Sequence, residues 1–267
     1  MLTRTHTGLD AVTAMFARAR AAGRAAFLPY YPIGYPTYTA SLQAIAGMAT
    51  AGVDGFEIGI PFSDPLADGP TIQAAAQVAL DNGITPADCL EAVRQLRQRG
   101  VPQPMVLMGY LNPLLAYGLE GFVQDARAAG ADGLIVPDMP PDEGDALIRL
   151  CREAGLALVF MIAPNSSAER IVLVAARATG FIYLVSVTGI TGARAELPPD
   201  VAEFVARVRT HTDQKLVMGF GISTPEQARI MSALTDGFIV GSALVRAGQD
   251  GPEAVVELAR NLRAALA

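Results

Sequence analysis

The sequence predicts an α/β protein of the (β/α)8 barrel class, and three observations predict it. Eight short apolar runs rich in Val, Ile, Leu and Phe alternate with Ala-, Arg- and Glu-rich segments of helical period. The runs are almost continuously apolar, as strands covered on both faces must be. The pattern fills 267 residues, close to the ~250 that this fold takes. It shows no composition break, long linker or low-complexity stretch, so 1–267 reads as one domain. An open doubly wound sheet is the alternative arrangement.

The opening "MLTRTHTGLDAVTAMFARARAAGR" is Arg-rich, faintly like a transit peptide, but runs directly into a strand-like segment. It reads as an amphipathic helix with Leu9, Val12, Met15 and Phe16 on one face, covering one end of the domain. Strands are predicted at Ala26–Tyr31, Gly55–Ile60, Met105–Gly109, Gly133–Pro137, Ala157–Ile162, Phe181–Ser186, Leu216–Phe220 and Gly237–Val240. Helices are predicted at Tyr38–Ala51, Thr71–Asp81, Pro86–Gln98, Leu119–Ala129, Pro141–Glu153, Ala168–Ala178, Pro199–Thr210, Pro225–Ser232 and Pro252–Ala265. Ser223-Thr-Pro-Glu226 and Pro140-Pro-Asp-Glu143 are good helix starts. Gly52, Gly83, Gly100, Gly130, Gly155 and Gly180 are good helix ends.

Composition excludes several functions. Hydrophobic residues make up 51% and charged ones 17%, which is a filled core and not a disordered chain. A net charge of −6 and a pI near 5.0 argue against nucleic-acid or anionic-membrane binding. No run reaches the roughly 18 apolar residues of a membrane span. Cys89 and Cys151 are the two cysteines, read as reduced side chains of a cytoplasmic protein. His6 and His211 are the two histidines, so a His-ligated metal site is not expected. Lys215, the single lysine, precedes strand seven, at the wrong end of a barrel for a Schiff base.

In this fold chemistry sits at the carboxyl ends of the strands. Alternation puts Gly55, Glu57 and Gly59 on one face of strand two, and Phe56, Ile58 and Ile60 on the other. The bulky set meets the helices, so Glu57 points into the barrel. A buried carboxyl tends to hold its proton, which suits a general acid. Asp64 and Asp68 follow in the next loop, where helix capping competes with function for Asp68. Small-residue loops follow strands six, seven and eight, at Thr188–Gly192, Gly219–Ser223 and Val240–Leu244. Two of these are where such barrels commonly hold a substrate phosphate, on backbone N–H groups and a helix start at Gly241-Ser242.

"FEIGIPFSDPLADGPTIQ" (56–73) resembles the signature of the tryptophan synthase alpha subunit family. "MGYLNPLLAYG" (108–118), "GLIVPDMPPDE" (133–143), "FIYLVSVTGITGAR" (181–194) and "GFGISTPEQA" (219–228) resemble it in the same order. The resemblance spans Phe27 to Ala247. It implies a lyase that cleaves indole-3-glycerol phosphate to indole and glyceraldehyde 3-phosphate, with no cofactor of its own. It further implies a pyridoxal-phosphate beta subunit as partner in an alpha2-beta2 complex. By motif, Glu57 and Asp68 are similar to the family's catalytic acids and Tyr183 to a pocket tyrosine. Gly192, Gly221, Gly241 and Ser242 match phosphate-binding positions, and Phe220 and Tyr110 would enclose the indole. Tyr35 in "IGYP" stands where the family often has an acid. A stand-alone lyase, a barrel that only binds, and a sugar-phosphate isomerase are the rival readings.

Overall fold

The structure, a computed structural model, describes residues 5–185, 200–219 and 221–266. Its strands are β1 (Ala26–Pro32), β2 (Phe56–Gly59), β3 (Met105–Met108), β4 (Gly133–Ile135), β5 (Ala157–Ile162), β6 (Ile182–Val185), β7 (Leu216–Gly219) and β8 (Gly237–Val240). Each pairs in parallel with the next, and β8 returns to β1, closing the barrel. The helices are α1 (Leu9–Ala21), α2 (Tyr38–Thr50), α3 (Pro70–Asp81), α4 (Pro86–Gln98), α5 (Leu111–Tyr117), α6 (Leu119–Ala129), α7 (Asp145–Ala154), α8 (Ala168–Arg177), α9 (Val201–Arg209), α10 (Pro225–Leu234), α11 (Ser242–Ala247) and α12 (Pro252–Ala264). The predicted strand boundaries hold to within two residues across the described chain.

Register fixes what faces inward. Tyr30 pairs with Glu57, Glu57 with Val106, and Val106 with Gly133. Met161 pairs with Tyr183, Tyr183 with Val217, and Val217 with Gly237. Paired residues share a face, so Tyr30, Glu57 and Tyr183 all line the interior. Phe56 and Ile58 are fully buried on the opposite face, as alternation along the strand requires.

The amino-terminal helix closes the other end. Val12, Met15 and Phe16 are buried. A Cβ on Gly55 would stand 2.6 Å from the Met15 sulfur, and one on Gly237 would stand 3.1 Å from the Phe16 ring. The small residues at the strand starts make room for this plug. Asp132, fully buried, pins it. Its carboxylate accepts from the Gly8 amide at 2.6 Å, the Met105 amide at 3.0 Å and the Arg97 guanidinium at 2.6 Å. Asp132→Ala leaves a buried guanidinium and two amides without this acceptor. A loss of about 3–5 kcal/mol is expected. At roughly 2–4 °C per kcal/mol for a chain of this size, calorimetry should record a Tm lower by about 10 °C.

Two helices depart from the predicted pattern. α7 starts at Asp145, not Pro141. Pro140 to Glu143 forms a tight turn, with the Glu143 amide bonded to the Pro140 carbonyl at 3.1 Å. α5 was not predicted. Its seven residues carry Pro113, and its N-terminal cap comes from a distant loop, with the Leu111 amide donating to Asp138 Oδ1 at 2.9 Å.

Candidate active site

Glu57 sits near the carboxyl end of β2 and is 3% exposed. Tyr183 on β6 donates its hydroxyl to the Glu57 carboxyl, which favours the ionised form and lowers its pKa. Burial, with the nearby charge of Asp68, outweighs that bond and pushes the Glu57 pKa up to about 8. Its Oε2 has no hydrogen-bond partner among the described residues, so one oxygen of a buried carboxyl is left for whatever enters the barrel.

Asp68 lies in the loop between β2 and α3. It does not cap α3, whose N-terminal cap is Gly69, without a side-chain bond. Asp68 Oδ2 instead accepts from the Tyr110 hydroxyl at 3.0 Å, and that hydroxyl accepts from the Ala67 amide at 3.0 Å. Tyr110 thereby fastens both the backbone and the carboxylate of this loop. Phe62 packs on its ring, with centroids 5.3 Å apart. Burial raises the Asp68 pKa to about 6, and the Tyr110 bond opposes the rise. The two carboxyls therefore differ in acidity while lying close enough for Asp68 to act on Glu57, and near neutral pH the deeper one keeps its proton while the shallower one is ionised.

Two tyrosines flank Glu57, each laid across a glycine of the following strand. A Cβ on Gly219 would stand 2.2 Å from the Tyr183 hydroxyl, and one on Gly59 would stand 2.4 Å from the Tyr30 hydroxyl. Both phenols stay protonated, pushed well above the usual tyrosine range by burial and by the two carboxylates. Tyr30 escaped the sequence reading. Alternation in "FLPYYP" offers Tyr30 and Tyr31 equally, and only the register with Glu57 selects Tyr30.

Gly221 follows β7 in a left-handed conformation, φ 25°. Gly241 caps α11, whose first residue is Ser242, and no side chain fills the cap. These sites thus fall at the same end of the barrel as Glu57. The Ser223 and Thr224 amides are already bonded to Gln227 Oε1, at 2.8 and 3.2 Å. Gly192 and Phe220 lie outside the described residues. Asp64 is exposed and accepts from its neighbour Ser63. Lys215 pairs with Asp236 at 3.1 Å, ahead of β7 and β8, away from the mouth. Among the described residues no group of three or more His, Cys, Asp and Glu could hold a metal ion.

A family model described as "Tryptophan synthase alpha chain" matches residues 16–265. The tryptophan synthase alpha chain of Chloroflexus aurantiacus is 49% identical over 237 residues, covering 89% of each chain. That of Roseiflexus castenholzii is 51% identical over 230 residues, covering 86% of this chain and 88% of the other. Among solved structures, Mycobacterium tuberculosis tryptophan synthase superposes with a TM-score of 0.91 at 37% identity, covering 98% of this chain and 99% of that one. The alpha chain from Legionella pneumophila superposes with a TM-score of 0.88 at 33% identity.

Proposed function

This chain belongs to the tryptophan synthase alpha chain family, and from that premise we infer that it cleaves indole-3-glycerol phosphate to indole and glyceraldehyde 3-phosphate in tryptophan biosynthesis. The observation that carries the residue assignment is the pair of carboxyls of unequal acidity, Glu57 and Asp68, at one mouth. Breaking the bond between the ring and the glycerol chain needs an electron sink. The indole ring serves once its C3 is protonated. Glu57, protonated near neutral pH, delivers that proton. The resulting Glu57 carboxylate takes the proton of the adjacent chain hydroxyl as the carbon–carbon bond breaks, its electron pair entering the ring and an aldehyde forming. Asp68, ionised, accepts the ring N–H and stabilises the cation.

The amides around Gly221 and Gly241, with the Ser242 hydroxyl and Gly192, hold the phosphate in this reading, and Tyr110, Tyr183 and Phe220 enclose the ring. The partner is a tryptophan synthase beta subunit, in an alpha2-beta2 assembly of the cytoplasm, and the catalytic chain acts as a single barrel domain. It docks at the mouth through the loops after β2 and β6. Leu66, 92% exposed in the first of these loops, supports that face; the second falls outside the described residues. Among the described residues no helix is long and apolar enough to cross a membrane.

The test is indole release from indole-3-glycerol phosphate by the purified chain, with and without beta subunit. A low rate that rises strongly on adding the partner is expected. Release unaffected by the partner would favour a stand-alone lyase, and no release in either case would exclude the reaction.

A further inference from the structure

We propose that the Tyr30 hydroxyl donates a hydrogen bond to the chain hydroxyl of the substrate, turning that hydroxyl's proton toward Glu57 Oε2. The proposal rests on the substrate assigned above. Tyr30 on β1 is paired in register with Glu57 on β2, so the two side chains enter the barrel side by side. Tyr30 is 7% exposed. Its ring spans from Gly241, where a Cβ would stand 3.4 Å from the ring edge, to Gly59, where one would stand 2.4 Å from the hydroxyl. It therefore bridges the loop assigned to the phosphate and the carboxyl assigned to proton transfer. The glycerol chain must cross that interval.

A chain hydroxyl there has one proton to give and lone pairs to receive. Glu57 Oε2 is without a partner among the described residues and takes the proton. The Tyr30 phenol supplies the donor for the lone pair. Burial, with the charges of Asp68 and Glu57 added to it, holds this phenol in the protonated form. It is thus a donor throughout the pH range in which the carboxyls titrate. Donation to the hydroxyl oxygen also eases loss of its proton as the aldehyde forms. Tyr30 itself neither gains nor loses a proton in the step.

The experiment measures binding by calorimetry in the Glu57→Gln background, where substrate persists. Two probes are compared: indole-3-glycerol phosphate, and 3-(indol-3-yl)propyl phosphate, which has the ring and phosphate but no chain hydroxyl. Adding Tyr30→Phe should weaken the first about tenfold, the scale of one lost hydrogen bond, and leave the second unchanged. Gly59→Ala, which puts a methyl where the hydroxyl rests, should show the same selective loss. With Glu57 intact, Tyr30→Phe should lower kcat/KM for the substrate by a similar factor. Equal weakening of both probes, or no weakening of either, overturns the proposal. Failure of both probes to bind the parent Glu57→Gln protein would instead remove the substrate assignment beneath it.

Discussion

Glu57→Gln is expected to lower kcat for indole release by about two to four orders of magnitude, the usual contribution of a general acid–base group. The amide matches the carboxyl in size and still accepts from Tyr183, but it can neither deliver nor collect a proton. Binding of 3-(indol-3-yl)propyl phosphate should change far less than kcat, because ring and phosphate contacts remain. Stability should move in a direction that depends on pH. The Glu57 pKa is raised from 4.5 in the unfolded chain to about 8 in the folded one. Below 4.5 both states are protonated and the group is neutral toward folding. Between those values the unfolded chain releases the proton and the folded chain keeps it, so wild-type stability falls as pH rises. The variant lacks this term, and its Tm should gain on the wild type steadily from pH 4.5 to 8. Near-wild-type indole release, or a Tm difference constant across that window, would contradict the role of a buried acid.

Asp68→Asn is expected to cost about two to three orders of magnitude in kcat, as removal of one electrostatic stabiliser does in other active sites. Its pH profile is the sharper readout. The proposed mechanism needs Asp68 ionised and Glu57 protonated. For the wild type, kcat/KM should rise through about pH 6 as Asp68 loses its proton and fall through about pH 8 as Glu57 does. The two limbs belong to an interacting pair. In Asp68→Asn the rising limb disappears. The falling limb moves to lower pH, because the Asp68 charge no longer helps to hold the Glu57 proton. A falling limb that stayed in place would show that burial alone sets the Glu57 acidity.

The sequence carried the fold because strand alternation and helix period are local signals, and the inward aim of Glu57 followed from Gly55, Gly59 and their bulky neighbours. The Asp68 loop was legible as a motif, but its fastening was not. Tyr110 is 42 residues away from Asp68, and no spacing rule joins them. Tyr30 was hidden for a related reason, since register between strands is a property of the closed barrel. α5 was missed because Asp138, a residue of another loop, supplies its cap. The start of α7 was misplaced because two prolines that suit a first helical turn here form the turn before it.

The helix that stoppers the amino-terminal end has a consequence for traffic. A tube open at both ends would let substrate arrive at one side while products drained from the other. With Met15 and Phe16 seated against Gly55 and Gly237, the amino-terminal end is shut among the described residues, which leaves traffic to the opposite rim. Substrate, indole and the triose phosphate would then share that rim, and turnover would alternate between admission and discharge. A subunit that collects indole would be stationed over that rim. Standing there, it would also govern when the next substrate is let in.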